Sequence, residues 1–270
     1  MDAEKFSRRS IDLWPKAVPG DRTADGFRPW LDPYPLRTAR SRGAVLVCPG
    51  GGYGGRAAHE GVTIARRFNR AGIHAFVLHY RVAPHRHPEP LMDAARALRL
   101  IRQRARAWRV DPNRIAICGF SAGGHLAASL GTLYAEFPFR REDPLAKISN
   151  RPDAMILCYP VISSGPLGHA GSFANLLGPG VPRRLLDRFS LERRVTADTP
   201  PAFLWHTADD AGVPVENSLL FAQALRTCRR PFELHVYPTG SHGLGLATQD
   251  AHIATWMPLC CEWLRSMGWA

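Results

Sequence analysis

Residues 114–136 read RIAICGFSAGGHLAASLGTLYAE, and this stretch decides how the rest of the chain is read. Ile115, Ala116, Ile117 and Cys118 form a short apolar run ending at a glycine, the pattern of a buried strand. The segment HLAASLGTLYAE reads as a helix. Between the two lies Gly119-Phe120-Ser121-Ala122-Gly123, which fits G-x-S-x-G. A turn sharp enough to pass directly from strand to helix needs small residues on both sides of the serine. Gly119 and Gly123 supply them, and the serine hydroxyl is left exposed above the sheet. The helix N-terminus behind it favours developing negative charge. Ser121 is therefore the candidate nucleophile.

Working outward, short apolar runs alternate with helical patterns from residue 44 onward. Strands are expected at 44–48, 73–80, 115–119, 154–158, 202–207 and 232–237. Helices are expected near 57–71, 90–108, 122–135, 215–228 and 252–266. Near-continuous hydrophobicity suits strands covered on both faces, and the alternation predicts an α/β fold, a mostly parallel sheet with helices on both sides. Ligands bind such sheets beyond the carboxyl ends of the strands. Residues 1–43, rich in proline and arginine, read as a peripheral segment with one strand near 11–14. Residues 44–270 read as a single domain carrying an excursion at 159–200, long enough to serve as a small lid.

A serine hydroxyl needs a base. His242 lies in Pro238-Thr239-Gly240-Ser241-His242-Gly243, directly after the last expected strand and at the same sheet edge as Ser121. His74, His79, His206 and His235 lie in or near strands and read as ordinary residues. The acid should fall between serine and histidine in the chain. Asp209 and Asp210 follow the run AFLWHT, and Asp210, which begins Asp-Ala-Gly-Val-Pro, is preferred over its neighbour. The run Cys48-Pro49-Gly50-Gly51-Gly52-Tyr53-Gly54-Gly55 follows the first central strand, and its glycines let the main chain approach a substrate closely. The N–H groups of Gly51 or Gly52, with that of Ala122, are expected to form an oxyanion hole, with Tyr53 N–H as a substitute. No G-K-[ST] follows, so a phosphate loop is excluded.

Composition narrows the remaining classes. The chain has 270 residues, 45% apolar and 21% charged, as is ordinary for a globular protein. The formal charge of +12 is spread along the whole chain and accompanies no recognition motif, so nucleic-acid binding is not expected. Arg96, Arg99, Arg102, Arg104 and Arg106 read as a solvated helix face. No apolar run reaches the ~20 residues of a membrane span. The N-terminus has no export-signal core, which predicts a cytoplasmic protein without membrane contact. The six cysteines show no CxxC spacing and read as reduced and structural.

GFSAGGHLAAS, PGGGY and Tyr80-Arg81-Val82-Ala83-Pro84 together resemble the hormone-sensitive-lipase-like esterases of the α/β-hydrolase fold. The fuller set, with HEG, YRVAPHRHPEPLMDA, HTADD, VPVENS and GSHGLGLA, is more similar to bacterial acetyl-xylan and feruloyl esterases. The resemblance runs from about residue 44 to the C-terminus. It implies hydrolysis of small acyl esters, acetyl or feruloyl esters of carbohydrates such as acylated xylo-oligosaccharides, with no cofactor and no metal. Its triad roles fall on Ser121, Asp210 and His242. Pro49 stands where the lipase-like motif has histidine, and no full cap domain is present. Tyr53, His59 and Asn175 are candidates to contact substrate, with Ser172 and Leu176 near the same pocket. His59 and Glu60 open a helix, and a charged pair at its N-terminus is the alternative role. An amidase, formamidase or small peptidase with the same triad is the rival activity, and a non-catalytic binding protein the rival class. A homodimer through an edge strand or the C-terminal helix remains open.

Overall fold

The computed structural model describes residues 10–20, 25–136 and 143–270. Residues 1–9 and 21–24 of the N-terminal segment thus lie outside the described residues. The elements run β1 (Ile11–Asp12), β2 (Trp30–Tyr34), β3 (Arg42–Cys48), α1 (Val62–Arg70), β4 (His74–His79), α2 (Glu89–Gln103), α3 (Ala105–Trp108) and β5 (Val110–Phe120). They continue with α4 (Ala122–Leu133), β6 (Ala154–Cys158), α5 (Ala170–Leu177), α6 (Arg183–Arg188), β7 (Ala202–Thr207), α7 (Glu216–Thr227), β8 (Phe232–Tyr237) and α8 (Trp256–Ser266). One sheet of eight strands has the order β1-β2-β4-β3-β5-β6-β7-β8. Strands β3 to β8 pair in parallel, while β2 is antiparallel to β4 and to β1. The expected mostly parallel α/β sheet is thus observed.

Alternation along the strands divides the core. In β3, Ala44, Leu46 and Cys48 join residues of α2 and α4 on one face, while Val45 and Val47 join α1 and α8 on the other. Strand β2 has no counterpart among the expected strands, because Pro33 argues against a strand interior. Pro33 is tolerated since β1 pairs only with Trp30 and Leu31, leaving nothing for its missing N–H to bond on that side. The helix expected over 90–108 is divided at Arg104 into α2 and α3.

The arginine row is not a solvated face throughout. Arg96 and Arg99 are buried. The N-terminal segment folds across α2, so Arg96 Nε donates to Leu13 O at 2.7 Å and its guanidinium lies 4.8 Å from the Trp14 ring centre. All six cysteines are free, and five are buried. Among the described residues, no helix is long and apolar enough to cross a membrane.

Candidate active site

Three chain segments converge beyond the carboxyl ends of the parallel strands. Ser121 sits between β5 and α4 with φ +52°, a left-handed conformation that is unusual for a residue with a side chain. Its flanks leave no space for alternatives. A Cβ on Gly119 would lie 2.0 Å from Gly123 O, and one on Gly123 would lie 2.2 Å from Cys48 O. Both flanking positions therefore leave room for glycine alone.

Ser121 Oγ donates to His242 Nε2 at 2.7 Å, and His242 Nδ1 donates to Asp210 Oδ2 at 2.7 Å. The other oxygen, Asp210 Oδ1, accepts the N–H groups of Gly212 and Val213 at 2.8 and 2.9 Å. Burial raises the Asp210 carboxyl. Hydrogen bonds from His206, His242 and the Val213 N–H outweigh that burial and hold the group well below the usual carboxylate range. It is thus a fixed anion. Asp209 is directed elsewhere: its Oδ1 accepts the Gly240 N–H at 2.7 Å and so ties down the loop that carries His242.

His206, read from sequence as an ordinary strand residue, supports this group. Its Nε2 lies 3.4 Å from Asp210 Oδ2 and donates to Val213 O at 2.9 Å, while Nδ1 accepts from Ser218 Oγ at 2.8 Å. The signal was its position four residues before the acid, near the end of β7. Tyr159 was also missed. It closes β6 with φ +36°, and its ring meets that of His242 edge-on at 5.1 Å between centres.

The glycine loop after β3 is held at successive residues. Tyr80 O–H donates to Pro49 O at 2.6 Å, and Gly50 N–H donates to Glu60 Oε2 at 2.7 Å. Gly51 O accepts the N–H groups of Gly54 and Gly55. Asn175 Nδ2 reaches from α5 to Gly52 O at 2.9 Å. Gly51 and Gly52 have φ of +126° and +63°, conformations that favour glycine. Gly50 packs on Ser121, since a Cβ there would lie 3.0 Å from Ser121 Cβ, and Ala122 follows the serine as the first residue of α4.

The three residues expected to contact substrate are placed differently. Tyr53 is buried, and its hydroxyl donates to His125 Nδ1 at 3.0 Å, so the ring belongs to the core beneath the loop. His59 is exposed and donates from Nε2 to Gly243 O at 2.8 Å, joining the helical turn after the glycine loop to the His242 loop. Asn175 contacts the loop itself. Ser172 and Leu176 are buried, and His169 caps α5, its Nδ1 accepting the Ser172 N–H at 3.1 Å. Burial, and beyond it the charge of His242, lowers the His169 imidazole from its ordinary value. Among the described residues, no cluster of three or more His, Cys, Asp or Glu side chains is placed to hold a metal.

The family described as alpha/beta hydrolase fold matches residues 45–246. The chain is 40% identical over 254 residues to endo-1,4-beta-xylanase B of Butyrivibrio fibrisolvens, covering 93% of this chain and 40% of that protein. It is 32% identical over 230 residues to an acetylxylan esterase of Xylanibacter ruminicola, covering 83% of this chain and 45% of that one. The chain therefore spans less than half the length of these two relatives. Among solved structures, an acetyl ester-xyloside bifunctional hydrolase from Caldicellulosiruptor lactoaceticus superposes with a TM-score of 0.93 and 46% identity, covering 97% of each chain.

Proposed function

Because the chain belongs to the α/β-hydrolase fold family, we propose that it is a serine carboxylesterase that cleaves small acyl esters, acetyl esters of carbohydrates foremost. The observation that carries this reading is the line Ser121–His242–Asp210, with its two 2.7 Å hydrogen bonds, at the carboxyl edge of the sheet. The similarity to proteins named acetylxylan esterase and acetyl ester-xyloside hydrolase supports the choice of acyl group and of a xylo-oligosaccharide as its carrier.

In this reading His242 Nε2 takes the proton of Ser121 as Oγ attacks the ester carbonyl carbon. Asp210 keeps the imidazole in the Nδ1–H tautomer and stabilises the imidazolium that forms. The carbonyl oxygen gains charge and is met by the N–H of Ala122 and those of the Gly51–Gly52 loop. The C–O bond to the alcohol then breaks, and His242 returns the proton to the leaving oxygen. Water repeats the sequence on the acyl-serine, releasing the acid and restoring Ser121.

The test is hydrolysis of acetylated xylo-oligosaccharides, methyl ferulate, N-formyl amines and aminoacyl anilides by the wild type and Ser121→Ala. The expected result is turnover of the acetyl esters above the other substrates, lost in Ser121→Ala, with fluorophosphonate labelling confined to Ser121. Preference for the amides, or activity in Ser121→Ala near that of wild type, overturns the proposal.

A further inference from the structure

Glu60 is 2% exposed, and a buried carboxylate is stable only where its oxygens have partners. Each has one. Oε2 accepts the Gly50 N–H at 2.7 Å, and Oε1 accepts the Tyr159 O–H at 2.6 Å. The Tyr159 oxygen in turn accepts the Gly245 N–H at 2.8 Å. A continuous hydrogen-bonded chain thus joins Gly50, one residue before the expected oxyanion donors, to Gly245, three residues after His242. Gly50 also packs on the nucleophile, since a Cβ there would lie 3.0 Å from Ser121 Cβ. Burial, with the Glu60 carboxylate next to it, pushes the Tyr159 phenol well above its ordinary value, so it remains a donor.

We propose that Glu60 and Tyr159 are positioning residues that lock the glycine loop to the His242 loop. The oxyanion donors and the base then hold one geometry about Ser121. This rests on the serine-esterase reading above. A pair serving only to fill space would be apolar, because a buried ion must offset a large desolvation cost. Charge-assisted hydrogen bonds supply direction instead. The elements they join here are the two loops that carry the reacting groups. Of the side-chain hydrogen bonds that hold the glycine loop, the one at Gly50 comes from a carboxylate and lies next to the nucleophile. The left-handed backbone of Tyr159 is a local strain that the surrounding structure maintains, with Tyr159 N–H bonded to Trp205 O at 2.8 Å.

The experiment compares wild type, Ser121→Ala, Tyr159→Phe, Glu60→Gln and Glu60→Leu on 4-nitrophenyl acetate. It also measures affinity for a boronic acid that forms a tetrahedral adduct with serine. Tyr159→Phe keeps the ring against His242 and Trp205 and removes only the hydroxyl. Its kcat is expected to fall about tenfold with KM changed by less than about twofold. Boronic-acid affinity should fall by the same factor as kcat, as for interactions made in the transition state. Glu60→Gln retains an acceptor for the Gly50 N–H and should keep more activity than Glu60→Leu. If Glu60→Leu fails to fold, Tyr159→Phe decides alone. A kcat near wild type in Tyr159→Phe overturns the proposal, as does a loss confined to KM or one that leaves boronic-acid affinity unchanged. Wild-type activity in Ser121→Ala would instead remove the serine reading itself.

Discussion

Asp210 Oδ2 lies 2.7 Å from His242 Nδ1, although the carboxylate one residue earlier is the more exposed of the two. The reason is the turn that follows β7, where the N–H groups of Gly212 and Val213 fix Asp210 Oδ1 and so aim Oδ2 at the imidazole. Asp209 bonds to Gly240 on the neighbouring loop. Asp210→Asn should lower kcat on a short acetyl ester by roughly 10⁴, because the amide favours the wrong imidazole tautomer. Asp209→Ala should cost about 1 kcal/mol of loop ordering, roughly fivefold in rate. Steady-state kinetics of the two variants check the assignment, and equal losses would contradict it.

Some of this was legible in the sequence because it is local. The serine turn follows from two glycines whose Cβ atoms have nowhere to go, and the six parallel strands follow from apolar runs covered on both faces. The choice of Asp210 over Asp209 was also local, resting on the Gly-Val-Pro stretch that follows. What escaped was long-range. Glu60 and Tyr159 are 99 residues apart and meet only because β3 and β6 flank β5 in the sheet. Arg96 reads as solvated until Leu13 and Trp14 are known to cross α2. Which way the Tyr53 and Asn175 side chains point is likewise set by partners distant in the chain, His125 in α4 and Gly52 in the glycine loop.

Asn175 gives a direct measure of how far the excursion contributes. Its Nδ2 holds Gly52 O at 2.9 Å, linking α5 to a loop otherwise anchored from the sheet side. Asn175→Ala should fold normally, since one partly exposed hydrogen bond contributes about 1 kcal/mol. Its kcat/KM should fall about five- to tenfold, because a small displacement of the loop misplaces the donors. Circular dichroism melting alongside acetyl-ester kinetics separates these effects. A melting loss without a rate loss would make α5 a structural cover only.

Acid should weaken the fold in a defined window. Burial pushes the imidazoles of His125 and His87 down to about 4, whereas each titrates near ~6.5 in the unfolded chain. Between these values the unfolded state binds protons that the folded state refuses, so stability falls as pH drops from about 6.5 to 4. Asp210 acts in a different range, since a lowered carboxylate contributes stability that is lost only below its unfolded value near ~3.9. Urea unfolding across this window should show the decline, and His87→Gln should take up about one proton fewer on unfolding. An unchanged slope in that variant would refute the assignment to His87.

The largest stability effect is expected far from the serine. Arg81 is fully buried and grips Asp93, with Nε on Oδ2 at 2.9 Å and Nη2 on Oδ1 at 2.8 Å. The same pair binds the N-terminal segment, since Trp14 Nε1 donates to Asp93 Oδ1 at 2.9 Å and Arg81 Nη1 donates to Pro19 O at 2.7 Å. Asp93→Ala leaves a buried guanidinium without its main counter-charge and should cost ~3–5 kcal/mol. Removing both charges together, as in Arg81→Met with Asp93→Leu, should cost less than Asp93→Ala alone, because no uncompensated ion remains. Denaturant unfolding of the three proteins tests this ordering. In Asp93→Ala, limited proteolysis should begin in the segment containing Trp14 and Pro19, which loses its anchors first. Cleavage starting elsewhere would show that this segment is held by its apolar contacts, Leu13 and Trp14, rather than by the ion pair.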